Sequence, residues 1–216
     1  VMLKSKLTIA GSNFIFDHIN ENYKDHINPK NKLMVIFRGI NVDYYNPKNI
    51  SEFKKNKLIS EWKLKEENFN ILLPGRLTSW KGQEKFIEAL NILSVDYNKT
   101  NFHGVILGDD QGRNVYSKKL KDLVLRYNLN KKITFVDRCR NMPVAYSIAD
   151  VVVSSSTKPE AFGRVAVEAQ SMKKPIVATD LGGSKETILN EKSGFLYNYD
   201  DPRELGKILN SLMDID

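Results

Sequence analysis

The sequence predicts an α/β fold: a doubly wound parallel Rossmann-like sheet with helices on both faces. From Ser51 onward, short apolar runs alternate with helical patterns. The runs are continuous rather than alternating, as in Ile71-Leu72-Leu73, Val105-Ile106-Leu107 and Val151-Val152-Val153. Strands buried on both faces of a parallel sheet read this way. Four loops rich in glycine and charge also share one position, just after a strand and just before a helix. A parallel sheet gathers such loops on one rim, where ligands bind.

In chain order, Leu7 to Ala10 reads as a short strand. Ser12 or Asn13 is placed to cap a helix through Phe14, Ile15, His18, Ile19 and Tyr23. Leu33 to Phe37 is a second strand, followed by the turn-forming run Arg38-Gly39-Ile40-Asn41-Val42-Asp43 and Asn46-Pro47. A lone β-α-β piece cannot cover its own sheet faces. Residues 1–45 are therefore expected to be the tail of a preceding domain plus a linker. Helix Ser51 to Trp62 and strand Asn70 to Pro74 open the regular part. Helix Gln83 to Leu93, strand Gly104 to Leu107 and helix Tyr116 to Tyr127 continue it. Next come strand Ile133 to Val136, a short helix near Met142 to Ile148 and strand Val151 to Val153. A helix reaching Met172 follows, with its apolar stripe at Phe162, Val165, Ala166, Ala169 and Met172 at helical spacing. Strand Pro175 to Thr179, helix Ser184 to Leu189, strand Phe195 to Tyr197 and helix Pro202 to Met213 complete the alternation.

Bulk composition narrows the function classes. Hydrophobic residues make up 41% and charged residues 27% of the 216, as in ordinary globular domains. No apolar run approaches ~18 residues, so no membrane span is expected, and the N-terminus lacks a signal-peptide core. Cys139 is the single cysteine, which excludes an internal disulfide; no histidine lies near it in sequence, and it reads as a plain thiol. Asn49-Ile50-Ser51 and Asn98-Lys99-Thr100 match a glycosylation pattern that arises by chance. The net charge of +7 is dispersed. It fits either a solvated surface or affinity for something anionic, a nucleotide, a phospholipid face or nucleic acid, and the absence of a recognition motif argues against nucleic acid. The first residue is Val, which suggests a piece of a longer chain.

The chemistry collects in the four loops. Gly75-Arg76-Leu77-Thr78-Ser79-Trp80-Lys81-Gly82 sets two cations between glycines ahead of a helix N-terminus. Glycine lets a ligand approach the backbone, and Arg and Lys suit phosphate. It lacks the Walker order. In Gly108-Asp109-Asp110-Gln111-Gly112-Arg113 the aspartates fit turn-forming and capping roles, and no third ligand at coordination spacing makes them a metal site. In Ser154 to Glu168, two carboxylates stand eight residues apart, Glu160 just before the helix and Glu168 about two turns inside it. At ~1.5 Å per residue they lie on the order of 12 Å apart. That is too far for an acid/base dyad and suits the two ends of a long ligand. In Leu181-Gly182-Gly183-Ser184 the backbone N–H groups are placed either to face a phosphate or simply to cap a turn, with Glu186 three residues on. His18, His26 and His103 are scattered and read as surface or packing residues.

Glu160-x7-Glu168 enclosing Phe162-Gly163, Gly75-Arg76 before Lys81-Gly82, and Gly182-Gly183-x-x-Glu186 before Gly194 together resemble the donor half of glycosyltransferase family 4, retaining enzymes of the GT-B fold. The resemblance runs from about Ser12 to the end. Ser12-Asn13-Phe14-Ile15 and Arg38 to Asp43 are similar to that family's passage between its two domains. It implies residues 1–45 as the tail of an acceptor-binding domain and 46–216 as a nucleotide-sugar donor-binding domain. It implies Arg76 and Lys81 on the diphosphate, Glu160 facing the sugar and Glu168 on the ribose hydroxyls. Backbone N–H groups of Phe162, Gly163 and Arg164 would lie near the sugar and diphosphate. Gly75, Gly108 and Val165 would line the donor site, as would Gly182 and Gly183, with the base near Val136, Asp137 and Arg138.

The function implied is transfer of a sugar from a nucleotide diphosphate sugar with retention of configuration. Cationic side chains would do the work of a metal, with no cofactor required. The acceptor would be lipid-linked or lipopolysaccharide, and the location cytoplasmic, at the inner membrane face where the chain associates peripherally. The family usually continues past the last helix, and most of the acceptor domain is missing here. The piece alone is therefore expected to bind nucleotide and transfer poorly. Readings from other classes are a non-catalytic nucleotide-binding or interaction module left by truncation, and a sugar-nucleotide epimerase on the same fold.

Overall fold

A computed structural model describes residues 5–27, 30, 32–65, 67–112 and 114–215. Strands β1 (Leu7–Ala10) and β2 (Lys32–Val35) pair in parallel around helix α1 (Asn13–Tyr23) and form a separate two-stranded sheet. Then come α2 (Glu52–Trp62), β3 (Phe69–Pro74), α3 (Gln83–Val95), β4 (Phe102–Leu107), α4 (Asn114–Arg126) and β5 (Ile133–Val136). They are followed by α5 (Met142–Ser147), β6 (Val151–Ser154), α6 (Arg164–Ser171), β7 (Ile176–Thr179), α7 (Ser184–Thr187), β8 (Phe195–Tyr197) and α8 (Pro202–Met213). The main sheet has six parallel strands in the order β5-β4-β3-β6-β7-β8, so the predicted α/β class holds.

The continuous apolar runs follow from burial on both faces. Side chains alternate across a strand, so Ile71 and Leu73 face one way and Leu72 the other. The first pair packs with Phe86, Ile87 and Leu90 of α3, Leu120 of α4 and Leu205 and Leu209 of α8. Leu72 packs with Trp62 of α2, Tyr146 of α5, Ala166 and Ala169 of α6 and Ile176 of β7. The chain builds outward from β3 to β5, then crosses back to place β6 on the other side of β3. Strand order therefore reverses between β3 and β6, and the crevice beyond their carboxyl ends is the topological switch point where such sheets bind ligands. The loops after these two strands hold Arg76, Lys81 and Glu160.

Element ends differ in places. Helix α6 starts only at Arg164, because Gly163 is left-handed (φ 82) and the preceding loop is tied elsewhere, so Glu168 lies one turn inside rather than two. Helix α7 is a single turn, since Ile188 is extended and buried. Arg113 falls outside the described residues. Among the described residues no helix is long and apolar enough to cross a membrane.

His18 and His26 are exposed, whereas His103 is buried in β4 with Nε2 2.8 Å from Thr134 Oγ1. Burial pushes its imidazole below the ordinary value. The unfolded chain therefore binds that proton more readily. The resulting stability is present above about pH 6.5, the unfolded value, and is lost as pH falls from there through the lower folded-state value. Urea unfolding of His103→Gln is expected to lose less stability than wild type between pH 7 and pH 5. Equal slopes would remove His103 from the titration.

Candidate functional site

Three loops nest at the switch point through close backbone approaches. Gly82, left-handed at φ 69, ends a single 3-10 turn over Ser79–Lys81 and precedes α3. A Cβ there would stand 1.7 Å from the Ser155 carbonyl oxygen. Gly108 after β4 is equally tight, since its Cβ would lie 2.0 Å from the Gly75 carbonyl oxygen. Buried Ser155 shares its hydroxyl proton between the carbonyls of Lys81 and Gly82, at 3.1 and 3.0 Å. The Thr157 amide donates to the Trp80 carbonyl at 2.8 Å. The Gln83 side chain donates through Nε2 to the Arg76 carbonyl at 2.9 Å, fixing the backbone that carries the guanidinium.

Two cavities open on this rim. One, of about 550 Å3, is lined by Gly75, Arg76, Gly108, Asp137, Arg138, Tyr146, Arg164, Val165 and Glu168, together with Tyr45 and Arg140. The other, of about 370 Å3, is lined by Gly75, Arg76, Lys81, Glu160, Phe162, Gly163, Arg164 and Val165, together with Arg38 and Trp80. Gly75, Arg76, Arg164 and Val165 belong to both walls. The two expected ends of a long ligand, Glu168 and Glu160, therefore lie in different cavities whose walls share Arg76 and Arg164.

Glu168 is 5% exposed and held at both oxygens. Its Oε2 accepts from the Tyr146 hydroxyl at 2.8 Å and its Oε1 from the Arg164 guanidinium at 2.7 Å, one helical turn away. Tyr45 packs edge-on against Tyr146, ring centroids 6.1 Å apart. Burial, then the charge of Glu168, pushes the Tyr45 phenol up to about 12 and drives Tyr146 well above its ordinary value. Both phenols thus stay protonated around the carboxylate at neutral pH. The Glu168 charge likewise raises Arg164. Neither tyrosine is legible in sequence, because a Tyr on a short helix and a Tyr in a linker carry no pattern.

Glu160 forms an ion pair with Lys81 and accepts from the Ser156 hydroxyl at 2.5 Å. The Lys81 ammonium also sits 4.5 Å from the centre of the Trp80 ring. Arg76 and Lys81 both line the second cavity, where Lys81 is ion-paired to Glu160, and Arg76 lines the first cavity as well. Ser156, 1% exposed, is a further site residue that sequence reasoning misses.

Other expectations shift. The Gly183 amide does not face a ligand; it donates to the Glu160 carbonyl at 2.8 Å. Gly182 bridges Glu160 in parallel, and neither glycine lines the two cavities. This turn braces the backbone of the Glu160 loop from behind. Val136 is likewise outside the cavity walls, its carbonyl taken by the Gly108 amide at 2.8 Å, whereas Asp137 and Arg138 do line the first cavity. Asp110 makes the expected turn contact, accepting from the Gly112 amide at 2.9 Å. Asp109 instead anchors Arg138 through Nε and Nη2 at 2.8 and 2.7 Å. Among the described residues no three His, Cys, Asp or Glu side chains group as a metal site. The Cys139 thiol donates to the Asn141 carbonyl at 3.3 Å, and burial raises its pKa.

Glu186 has a role that sequence did not suggest. Its Oε1 accepts from the Phe14 amide at 2.7 Å and its Oε2 from the Asn13 amide at 2.8 Å. It caps α1 from across the fold, where a carboxylate meets the positive end of the helix. Buried Ser12, the expected cap, accepts from the Ile15 amide at 3.2 Å and donates to the Ala161 carbonyl at 2.5 Å. The N-terminal segment is thus tied directly to the Glu160 loop.

The solved structure of a glycosyltransferase from Rickettsia africae superposes with a TM-score of 0.89 at 34% identity, covering 96% of this chain and 53% of that one. HepE of Anabaena, solved with UDP and glucose, gives a TM-score of 0.86 at 28% identity, covering 97% of this chain and 54% of that one. D-inositol 3-phosphate glycosyltransferase of Corynebacterium glutamicum is 26% identical over 187 residues, 86% of this chain and 44% of that protein. The chain spans about half the length of the curated relatives it matches. Residues 54–216 match the family described as glycosyl transferases group 1. With that match running from α2 to the chain end and one half of a GT-B fold around it, the chain belongs to the glycosyl transferases group 1 family.

Proposed function

We propose that this chain carries the donor site of a retaining glycosyltransferase that moves a sugar from a nucleoside diphosphate sugar to an acceptor. The observation that carries this reading is the pair of cavities meeting at Arg76 and Arg164. A nucleoside in the Glu168 cavity and a sugar in the Glu160 cavity place the diphosphate against both guanidiniums. The UDP in HepE supports the same ligand class. Cleavage of the sugar–phosphate bond develops negative charge on the departing diphosphate. Arg76, Arg164 and the amides opening α6 stabilise that charge without a metal, and such electrostatic stabilisation usually contributes most to catalysis. Glu160, held by Lys81 and Ser156, faces the sugar; Glu168 accepts from the ribose hydroxyls.

Residues 1–45 are read as the tail of an acceptor-binding domain, with 46–216 as the donor-binding domain. The separate β1–β2 sheet, with Leu7 and Ile9 about half exposed, supports this division. The acceptor is lipid-linked or lipopolysaccharide, and the chain by itself binds nucleotide but transfers sugar poorly. A thermal-shift series of nucleoside diphosphates and their sugars on wild type and Glu168→Ala tests the site. A ligand at 100 times its Kd adds about 2.7 kcal/mol of stability, so an upward shift is expected in wild type. Glu168→Ala is expected to lose most of that ligand-induced shift. If no nucleotide shifts the wild type, the donor-site reading fails.

A further inference from the structure

The Glu160 cavity holds a cation that the donor site as described leaves idle. Among the described residues its wall carries Arg38, Arg76, Lys81 and Arg164 against the carboxylate of Glu160. Lys81 and Glu160 neutralise each other in their ion pair. Arg76 and Arg164 stand in the wall shared with the Glu168 cavity, where the diphosphate is placed. Arg38 lines the Glu160 cavity and not the other. It follows β2 in the N-terminal unit, and among the described residues no ion pair or side-chain hydrogen bond engages its guanidinium. We propose, on the donor-site reading above, that the sugar taken by this cavity is acidic, a hexuronate whose carboxylate meets Arg38.

The setting of Arg38 is built rather than incidental. Its amide donates to the Gly11 carbonyl at 3.3 Å, and its stem lies along Gly11, where an added Cβ would stand 3.2 Å from the Arg38 Cγ. The absent side chain at Gly11 thus leaves room for the stem on its way to the cavity. A guanidinium matches a carboxylate with two parallel hydrogen bonds, and a charge pair inside a cavity is screened less than one in open solvent. Trp80 adds a half-buried ring to the same wall, with the Lys81 ammonium 4.5 Å from the ring centre. An aromatic surface beside a free guanidinium suits a pyranose ring that bears a carboxylate: the C–H face has the indole and the charge has Arg38. A neutral hexose leaves that guanidinium with hydroxyls alone. The ion pair of Lys81 with Glu160 also removes the repulsion that a sugar carboxylate would otherwise meet from Glu160.

The test titrates the full 15N-labelled chain, saturated with UDP, GDP or ADP, whichever gives the largest thermal shift, with glucuronate, glucose and inorganic phosphate in the millimolar range. Amide NMR shifts report binding. Glucuronate is expected to move the amides of Gly39 and Phe162 and to bind at least tenfold more tightly than glucose. Arg38→Gln is expected to weaken glucuronate roughly tenfold, the effect of one charge-assisted hydrogen bond, while glucose affinity, nucleotide affinity and Tm stay within error of wild type. Arg38→Lys, which keeps the charge and loses the fork, is expected to fall between the two. Trp80→Leu is expected to weaken both sugars by a similar factor, which separates the stacking surface from the charge. Equal affinity for glucuronate and glucose overturns the proposal. So does tighter binding of phosphate than of glucuronate, or a nucleotide affinity that falls in Arg38→Gln and so assigns the guanidinium to the diphosphate. If none of the three nucleotides shifts the chain, the donor-site reading fails by itself, and the same sugar titrations on the nucleotide-free chain still decide the role of Arg38.

Discussion

Arg76→Ala is expected to lower the affinity of the chain for a nucleoside diphosphate by roughly 10- to 100-fold, with Tm of the free protein almost unchanged. The guanidinium stands in the wall shared by two cavities, and among the described residues it has no ion-pair partner. Removing it therefore breaks no salt bridge seen in the fold. A charge-assisted hydrogen bond contributes about 1.5–3 kcal/mol, and a bidentate guanidinium makes two to one phosphate. Arg76→Lys keeps the charge and loses the fork, so an intermediate affinity is expected. Lys81→Ala gives the contrasting result. Lys81 is the ion-pair partner of Glu160, so its loss leaves a carboxylate 17% exposed with Ser156 alone and lowers Tm as well as affinity. Calorimetric titration with UDP beside a melting curve separates the two. An Arg76→Ala affinity equal to wild type would show that the phosphates lie elsewhere.

Gly82→Ala is expected to destabilise the fold by about 3 kcal/mol or more, seen as a Tm lowered by roughly 6–12 °C for a chain of this size. Two effects add. The residue sits at φ 69, where a side chain is strained. The new Cβ would also overlap the Ser155 carbonyl oxygen, a backbone atom that cannot rotate away. The only escape is to part the loops after β3 and β6, which breaks the shared Ser155 hydrogen bond and the Thr157–Trp80 contact. Loss of nucleotide affinity should accompany the loss of stability, because Arg76 and Glu160 ride on those loops. A variant with wild-type Tm would mean that the loops separate at little cost.

The alternation of strand and helix patterns, and with it the parallel sheet, was legible because burial on two faces leaves a plain mark: runs such as Ile71 to Leu73 with no polar interruption. Arg76 and Lys81 were legible as candidates because charged residues beside glycines just after strands have few structural reasons to be there, and Glu160 and Glu168 because two carboxylates spaced across a helix start suit the two ends of a long ligand. Tyr45 and Tyr146 left no such mark. Each reaches its position from an element distant in sequence, and ordinary residue types reveal nothing until the chain is folded.

Gly182 and Gly183 show the limit most sharply. In sequence a Gly-Gly pair before a helix fits either a phosphate contact or a tight backbone turn, since both need the missing Cβ. The fold decided for the turn, by setting the Glu160 carbonyl on the Gly183 amide. The ion pair of Lys81 with Glu160 was decided the same way, because which carboxylate lies within reach of a cation depends on the folded chain. The sequence alone determined the fold class, the rim on which the chemistry collects and the charges available there. Those follow from local pattern and residue type. Tertiary structure alone decided which charge meets which, which amides remain open and where the cavities join. Those depend on distances between loops that only the crossover from β5 to β6 brings together.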